Sequence, residues 1–355
     1  MRFTNIQALR ALAAGMVLLF HATYYAKQRF GYPLFADALR GTWTTFAVPL
    51  FLVISGFVLT HSIRTAPPGR FLLARAIRIY PGFWLATVIA AVAMAITGWP
   101  DSLSLVMRLK HVGWSLRPGE FGSRLFILGV EWSLVFEVVL YLWLAAVSLL
   151  GTVRGVAIAA AVWLAVLVVK MIGWPEFAMN SPENPLPTWG TVFLSVVNVP
   201  FLFGVLIYQV REFGRAARWP VLAAIAMYLA LVPGCFVTLE AIWFVYSFAA
   251  AAIVWFALQA PQLRERHPLV RAGDWSYGLY LAHVPLVTGG FAILVAAGWL
   301  IGTAEGVILV TLVALAGGLS FGWVESALHR HFRPLLNLRV KLPALRLPLR
   351  QRSGL

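Results

Sequence analysis

Charge is what this sequence has least of. Only 12% of its 355 residues are Asp, Glu, Lys or Arg, about half the fraction of an ordinary soluble domain. Acidic side chains are the scarcest, 13 against 28 Lys and Arg, so the formal net charge is +15. There is one cysteine, Cys235. It excludes an intramolecular disulfide and leaves the redox compartment unread. There is no internal repeat, no low-complexity segment and no separate soluble domain.

Apolar residues fill the space. They make up 61% of the chain, the mean hydropathy is +0.83, and they fall in runs of about 20 residues, the length that crosses a bilayer as a helix. The 15 tryptophans suit a protein with two water–lipid interfaces to anchor. A basic excess of this size first suggests nucleic acid. Here, however, Lys and Arg lie between the apolar runs rather than in one patch, so membrane topology accounts for them and no nucleic-acid partner is expected.

The expected fold class is therefore all-α, a polytopic bundle of about ten spans. The runs are Ile6 to Tyr25, Trp43 to Ser62, Ala76 to Thr97, Leu125 to Leu150 and Val156 to Ile172. Further on they are Thr191 to Tyr208, Trp219 to Val232, Ala241 to Leu258, Trp275 to Gly298 and Glu305 to Leu328. The first imitates a signal peptide, but Arg10 interrupts it and no small-x-small site follows before Tyr24 and Tyr25, so it is expected to stay as a helix. With both termini in the cytoplasm, about nineteen Lys and Arg lie inside and about eight outside, as the positive-inside rule requires. The long outer loops, Trp99 to Arg124 and Gly173 to Gly190, are then the places to meet an external substrate. Residues 1–329 form the membrane domain. Residues 330–355 form a basic tail containing Arg330, Arg333, Arg339, Lys341, Arg346, Arg350 and Arg352. A topology signal on the inner leaflet explains that tail more simply than a surface for anionic lipid or cofactor phosphate.

Ionisable groups inside spans are costly, and each is a functional candidate. The first run carries Arg10 and His21. Eleven residues is close to three turns, so both share a face, about 16 Å apart along the axis. Each has a bland reading, a snorkelling arginine and an interfacial histidine; together on one face they are harder to dismiss. In "EWSLVFEVVLY", Glu131 reads as interfacial. Glu137 lies deeper, needs a partner or a raised pKa, and aligns with Ser133 and Tyr141 at i−4 and i+4. In "GDWSYGLYLAHVPL", Ser276, Tyr280 and His283 form a polar stripe. Interhelical glue explains Ser and Tyr well but a histidine less readily. Arg75 and Arg78 in "RFLLARAIRIYPGFW" share a face before the third run. Paired guanidiniums suit phosphate, and topology alone explains them about equally well. Ser55-Gly56 marks a kink or a close-packing point.

Five segments together resemble the acyltransferase 3 family of membrane acyltransferases. "IQALRALAAGMVLLFHA" is similar to its first-helix signature, an Arg and a His with ten residues between, here Arg10 and His21. "VPLFLVISGFVL" is similar to its second-helix motif. "RAIRIYPGFW" matches through Arg75, Arg78, Tyr80, Pro81 and Trp84. "WSLVFEVVLY" matches through Trp132, Ser133, Leu134, Glu137 and Tyr141, and "SYGLYLAHVPL" through Ser276, Tyr277, Tyr280, Leu281, His283 and Pro285. The resemblance runs from Ile6 to about Leu328. It departs at "GTWTTFAVPLF", where the family often has Gly and Asp. Many relatives append a hydrolase-like domain, so this chain is expected to be the stand-alone form.

The resemblance implies acyl-CoA as a cytoplasmic donor, acetyl-CoA by expectation, with no metal. It implies His21 as the catalytic histidine, deprotonating an acceptor hydroxyl or carrying the acyl group itself. Glu137 would orient or charge-balance a histidine. Arg10, Arg75, Arg78 and Tyr80 would hold the donor, with Ser133, Tyr141, Ser276, Tyr280 and His283 as further polar site residues. The expected acceptor is a glycan, such as a surface or exported polysaccharide, and the expected location a bacterial inner membrane; oligomeric state is left open. The rival readings are a transporter or flippase without chemistry, against which the missing inverted repeat counts, and a non-catalytic membrane sensor or assembly partner.

Overall fold

A computed structural model of the chain describes residues 3–31, 46–97, 116, 127–173, 188–189, 192–213, 239–299 and 303–337. All regular structure among them is helical. In a bilayer this is the expected outcome, because a span without water must satisfy its own backbone. The helices are α1 (Thr4–Phe30), α2 (Ala47–Ile63), α3 (Pro68–Thr97), α4 (Glu131–Ser148), α5 (Val153–Gly173), α6 (Val199–Phe213), α7 (Leu239–Gln259), α8 (Pro268–Ala296) and α9 (Ala304–Phe332). Short 3₁₀ turns precede α6 and follow α9.

Six of these helices are long and apolar enough to cross a membrane, and the segments Ala47–Ile63, Val196–Arg211 and Trp243–Gln259 are shorter apolar helices. Several large apolar side chains face away from the protein. On α5, Ile158, Val162, Val166, Val169 and Ile172 form an outward stripe, with Ile158 64% and Ile172 74% exposed. A continuous apolar face of this kind is a lipid face.

Several boundaries differ from expectation for local reasons. α4 begins at Glu131 rather than Leu125. Gly129 takes a left-handed φ of 77°, and the Glu131 carboxylate accepts the backbone N–H groups of Ile127 and Leu128 at 2.9 and 2.7 Å. Glu131 is buried within the protein, 1% exposed, and caps the turn that leads into α4. α8 begins at Pro268, earlier than Trp275, because His267 accepts the Leu269 N–H and a proline occupies the first turn. The seventh apolar run (Trp219 to Val232), Cys235 and the tail beyond Asn337 lie outside the described residues. So does the first long outer loop apart from Leu116, and the second apart from Gly173, Thr188 and Trp189. The opening of the tail is helical, since α9 runs through Phe332 and a 3₁₀ turn follows over Arg333–Asn337.

Two glycine contacts bring backbones together where the site is built. A Cβ on Gly56 would overlap the Phe201 backbone and one on Gly204 the Val53 backbone, so α2 and α6 touch main chain to main chain. The Ser55-Gly56 pair is thus a close-packing point in an unbroken helix. A Cβ on Gly278 would likewise overlap the Gly322 backbone, which fixes α8 against α9.

The basic helix ends gather on one side. The side chains of Thr4 and Asn5, opening α1, hydrogen-bond Leu263 in the α7–α8 connection and Ala257 in the last turn of α7. Arg211 of α6 lies over the Phe3 ring. His329 of α9 reaches the Ile77 carbonyl of α3 at 3.4 Å.

Candidate active site

A polar column runs through the apolar bundle, formed by α1, α2, α3, α4, α8 and α9. At one end His21 and His283 meet. His283 is buried and His21 half-buried; the rings lie 4.9 Å apart. The hydrogen-bond partners settle where their protons sit. His283 Nδ1 is 2.6 Å from the Tyr280 carbonyl, which only accepts, so Nδ1 carries the proton and Nε2 is a lone pair. That Nε2 is 3.1 Å from His21 Nδ1, which also lies 3.0 Å from the Val17 carbonyl. Both neighbours of His21 Nδ1 are acceptors, so it is the protonated nitrogen. The neutral His21 ring is thereby held as the tautomer with a bare lone pair on Nε2, the form a general base needs.

Next along the column, Tyr280 OH pairs with Ser133 Oγ at 2.5 Å, joining α8 to α4. One helical turn further, Tyr141 OH donates to Glu137 Oε1 at 2.5 Å, and Ser55 Oγ of α2 reaches the same oxygen at 3.5 Å. The Ser133–Glu137–Tyr141 face therefore points inward as its spacing implied. Glu137 is half-buried, and its hydrogen-bond partners are Tyr141 and Ser55; the ring that meets His21 is His283. Ser276 also departs from expectation. It is buried, but its hydroxyl returns to the Gly273 carbonyl of its own helix at 2.8 Å, the usual local alternative for a helical serine.

Towards the basic end, Arg10 Nη1 reaches Gln7 Oε1 at 3.4 Å, and the guanidinium lies in the electrostatic field of Glu137, Asp274 and Arg78. Arg78 forms an ion pair with Glu325 of α9 and sits over the Tyr277 ring at 4.9 Å. Tyr277 OH donates to the Ile79 carbonyl at 2.9 Å. Arg75 lies over the Phe71 ring at 5.7 Å, and its buried Nε has no hydrogen-bond partner. The two arginines thus have different environments: Arg78 is neutralised, whereas Arg75 keeps an unmet donor. Tyr80 turns elsewhere, to the Trp84 ring at 5.4 Å and to the backbone of Leu116.

Two members of this arrangement were not singled out from sequence. Glu325 is the only acid in the last apolar run after Glu305, and an acid within a span is itself a signal. Tyr277 counted only as a motif match.

Comparison with known proteins follows the same residues. The family described as Acyltransferase domain, the acyltransferase 3 family, matches residues 3–324. Nodulation protein 10 of Rhizobium leguminosarum bv. viciae is 28% identical over 97% of this chain and 96% of its own length. The exopolysaccharide production protein ExoZ of Rhizobium meliloti is 28% identical over 66% of this chain and 74% of its own. Acyltransferase MdmB of Streptomyces mycarofaciens is 26% identical over 92% and 91%. No solved structure matches.

Proposed function

The chain belongs to the acyltransferase 3 family, and from that premise we propose that it moves an acyl group, acetyl by expectation, from cytoplasmic acyl-CoA to a hydroxyl of a glycan. The observation that carries the proposal is the His21–His283 pair. His21 offers a lone pair on Nε2 while His283 accepts from Nδ1. In the reaction the acceptor hydroxyl gives its proton to His21 Nε2 as its oxygen attacks the thioester carbonyl. The tetrahedral intermediate then expels the thiolate, which takes that proton. During the step the His21 ring is an imidazolium, and its Nδ1–H still points at a lone pair on His283, so the charge is met by an acceptor already in place. A two-step route, in which His21 itself carries the acyl group, would use the same lone pair.

Donor-side contacts follow from the other end of the column. Arg75, with its unmet buried Nε, is the stronger candidate for a phosphate or pantetheine oxygen. Arg10 lies between that end and the histidines. Arg78 and Glu325 hold the wall beside them. Tyr80, matched by the motif, stays a donor-site proposal of lower rank because it faces Trp84.

The topology that serves this chemistry has about ten spans, with both termini and the basic helix ends in the cytoplasm. It is supported by about nineteen Lys and Arg on the inner side, among them Arg64, Arg70, Arg75, Arg78, Arg211, Arg271, Arg330 and Arg333, against about eight on the outer. Acyl-CoA is cytoplasmic, so the basic side is also the donor side. We place the protein in a bacterial inner membrane, with residues 330–355 as its basic cytoplasmic tail. The glycan acceptor is supported by the relative named for exopolysaccharide production. Purified protein incubated with labelled acetyl-CoA and an exopolysaccharide fragment tests the proposal. Label appearing on the glycan is expected; the absence of both glycan labelling and thioester cleavage would overturn the proposal.

A further inference from the structure

α3 and α9 pack in one antiparallel register. Arg78 faces Glu325. Eight residues towards the basic end on each helix, Arg70 and Arg333 line one cavity of about 390 Å³, together with Arg330, Pro334 and Leu336. Eight helical residues place that cavity about 12 Å from the Arg78–Glu325 pair. It is an open concavity, and Arg70, Arg330 and Arg333 are all exposed to solvent. No acidic side chain lines it; Glu325 of α9 pairs with Arg78, and its charge reaches Arg330 only at longer range. The walls are fixed from both sides: His329 ties α9 to the Ile77 carbonyl, and the 3₁₀ turn Arg333–Asn337 closes the end.

Three guanidiniums around one cavity repel each other, and an anion relieves that repulsion. Arginine forks match the oxygens of a phosphate group bidentately. We propose that the Arg70–Arg330–Arg333 cavity binds a phosphate group. Topology alone would account for basic residues spread along the interface, but not for three of them from two helices lining one concavity. The phosphate has two available sources: the nucleotide of a soluble ligand, or a lipid headgroup. That the soluble ligand is the nucleotide end of the acyl donor rests on the function proposed above; the site itself does not.

The test uses the full-length protein in phosphatidylcholine nanodiscs, titrated with adenosine 3′,5′-bisphosphate. Saturable binding is expected, weakened tenfold or more in Arg330→Gln/Arg333→Gln and less in Arg330→Lys/Arg333→Lys, which keeps the charge but not the bidentate fork and guards against a folding artefact. In parallel, retention of phosphatidylglycerol is measured by native mass spectrometry on both variants. Arginine-dependent nucleotide binding supports the site with a soluble ligand. Arginine-dependent lipid retention without nucleotide binding supports it with a headgroup. If neither ligand depends on these arginines, the proposal is overturned. A protein that binds the bisphosphate here yet transfers no acyl group would keep the site and lose the donor reading.

Discussion

His283 Nε2 lies 3.1 Å from His21 Nδ1, although the two residues are 262 apart in the chain. Because the Tyr280 carbonyl fixes the proton on the far nitrogen of His283, the contact orients His21 as well as touching it. In the proposed mechanism His283 would do what a carboxylate does in many hydrolases, accepting from the base and fixing its tautomer. In an apolar bundle this arrangement avoids placing a further charge beside the reacting groups.

His21→Ala should remove nearly all acyl transfer while leaving membrane insertion intact. General-base catalysis contributes roughly 10²- to 10⁴-fold. Turnover measured at equal protein abundance checks this, and a variant retaining more than about a tenth of activity would take His21 out of the mechanism.

His283 should act through His21. In His283→Gln the amide oxygen can still accept the His21 Nδ1–H, whereas in His283→Leu nothing can. The Leu variant is expected to lose turnover about tenfold or more with little change in KM, and the Gln variant to recover most of it. Nitrogen chemical shifts of labelled His21 should report the Nδ1–H tautomer in wild type and Gln, and a mixture in Leu. Equal loss in both variants with unchanged shifts would reduce His283 to packing.

The Arg78–Glu325 pair should matter chiefly for stability. Glu325 is 1% exposed and Arg78 21%, so Glu325→Leu strands a largely buried cation. The expected cost is about 3 kcal/mol, the low end for broken buried pairs, because Arg78 keeps some access to solvent. Thermal unfolding in detergent should show it, and Arg78→Met/Glu325→Leu should recover part of the loss. A stable single variant would mean that Arg78 finds another partner.

Much of this arrangement was legible in the sequence because burying charge in lipid is costly. Arg10, His21, Glu137 and His283 stood out for that reason alone, and the i, i+4 spacing of Ser133, Glu137 and Tyr141 placed them on one inward face. Helix periodicity could not say which side chains pair across helices. The resemblance set Glu137 to orient or charge-balance a histidine, and the packing of α1 on α8 brings His283 itself against His21. Ser276 fitted the stripe and turned back to its own helix. Glu325 was visible as an acid in a span, yet its meaning appeared only with Arg78 beside it.

The basic side should face the cytoplasm. A cytoplasm-dependent reporter fused after Leu355 should be active and a periplasm-dependent one inactive, as the gathering of arginines at the ends of α2, α6, α7 and α9 and the starts of α3, α5 and α8 requires. The reverse result would invert the topology and move the donor to the other face.

Glu137 should be needed for turnover more than for folding. Its Oε1 accepts from Tyr141 OH at 2.5 Å and lies 3.5 Å from Ser55 Oγ, so it links α4 to α2 at mid-bundle, in the electrostatic field of Arg10. Glu137→Gln keeps the size and an oxygen acceptor for Tyr141, and removes only the charge. If the carboxylate were interhelical glue, Gln would be well tolerated, since a neutral hydrogen bond replaces a charge-assisted one at a net cost of about 1 kcal/mol. If instead its charge sets the field along the column between Arg10 and the tyrosines, abundance and donor binding should stay near normal while turnover falls severely. Tyr141→Phe separates the two further. It removes the strongest hydrogen bond to Glu137 but leaves the charge, so it should cost less turnover than Glu137→Gln. The opposite ranking would assign the role to the hydrogen bond and leave His21 to act with His283 alone.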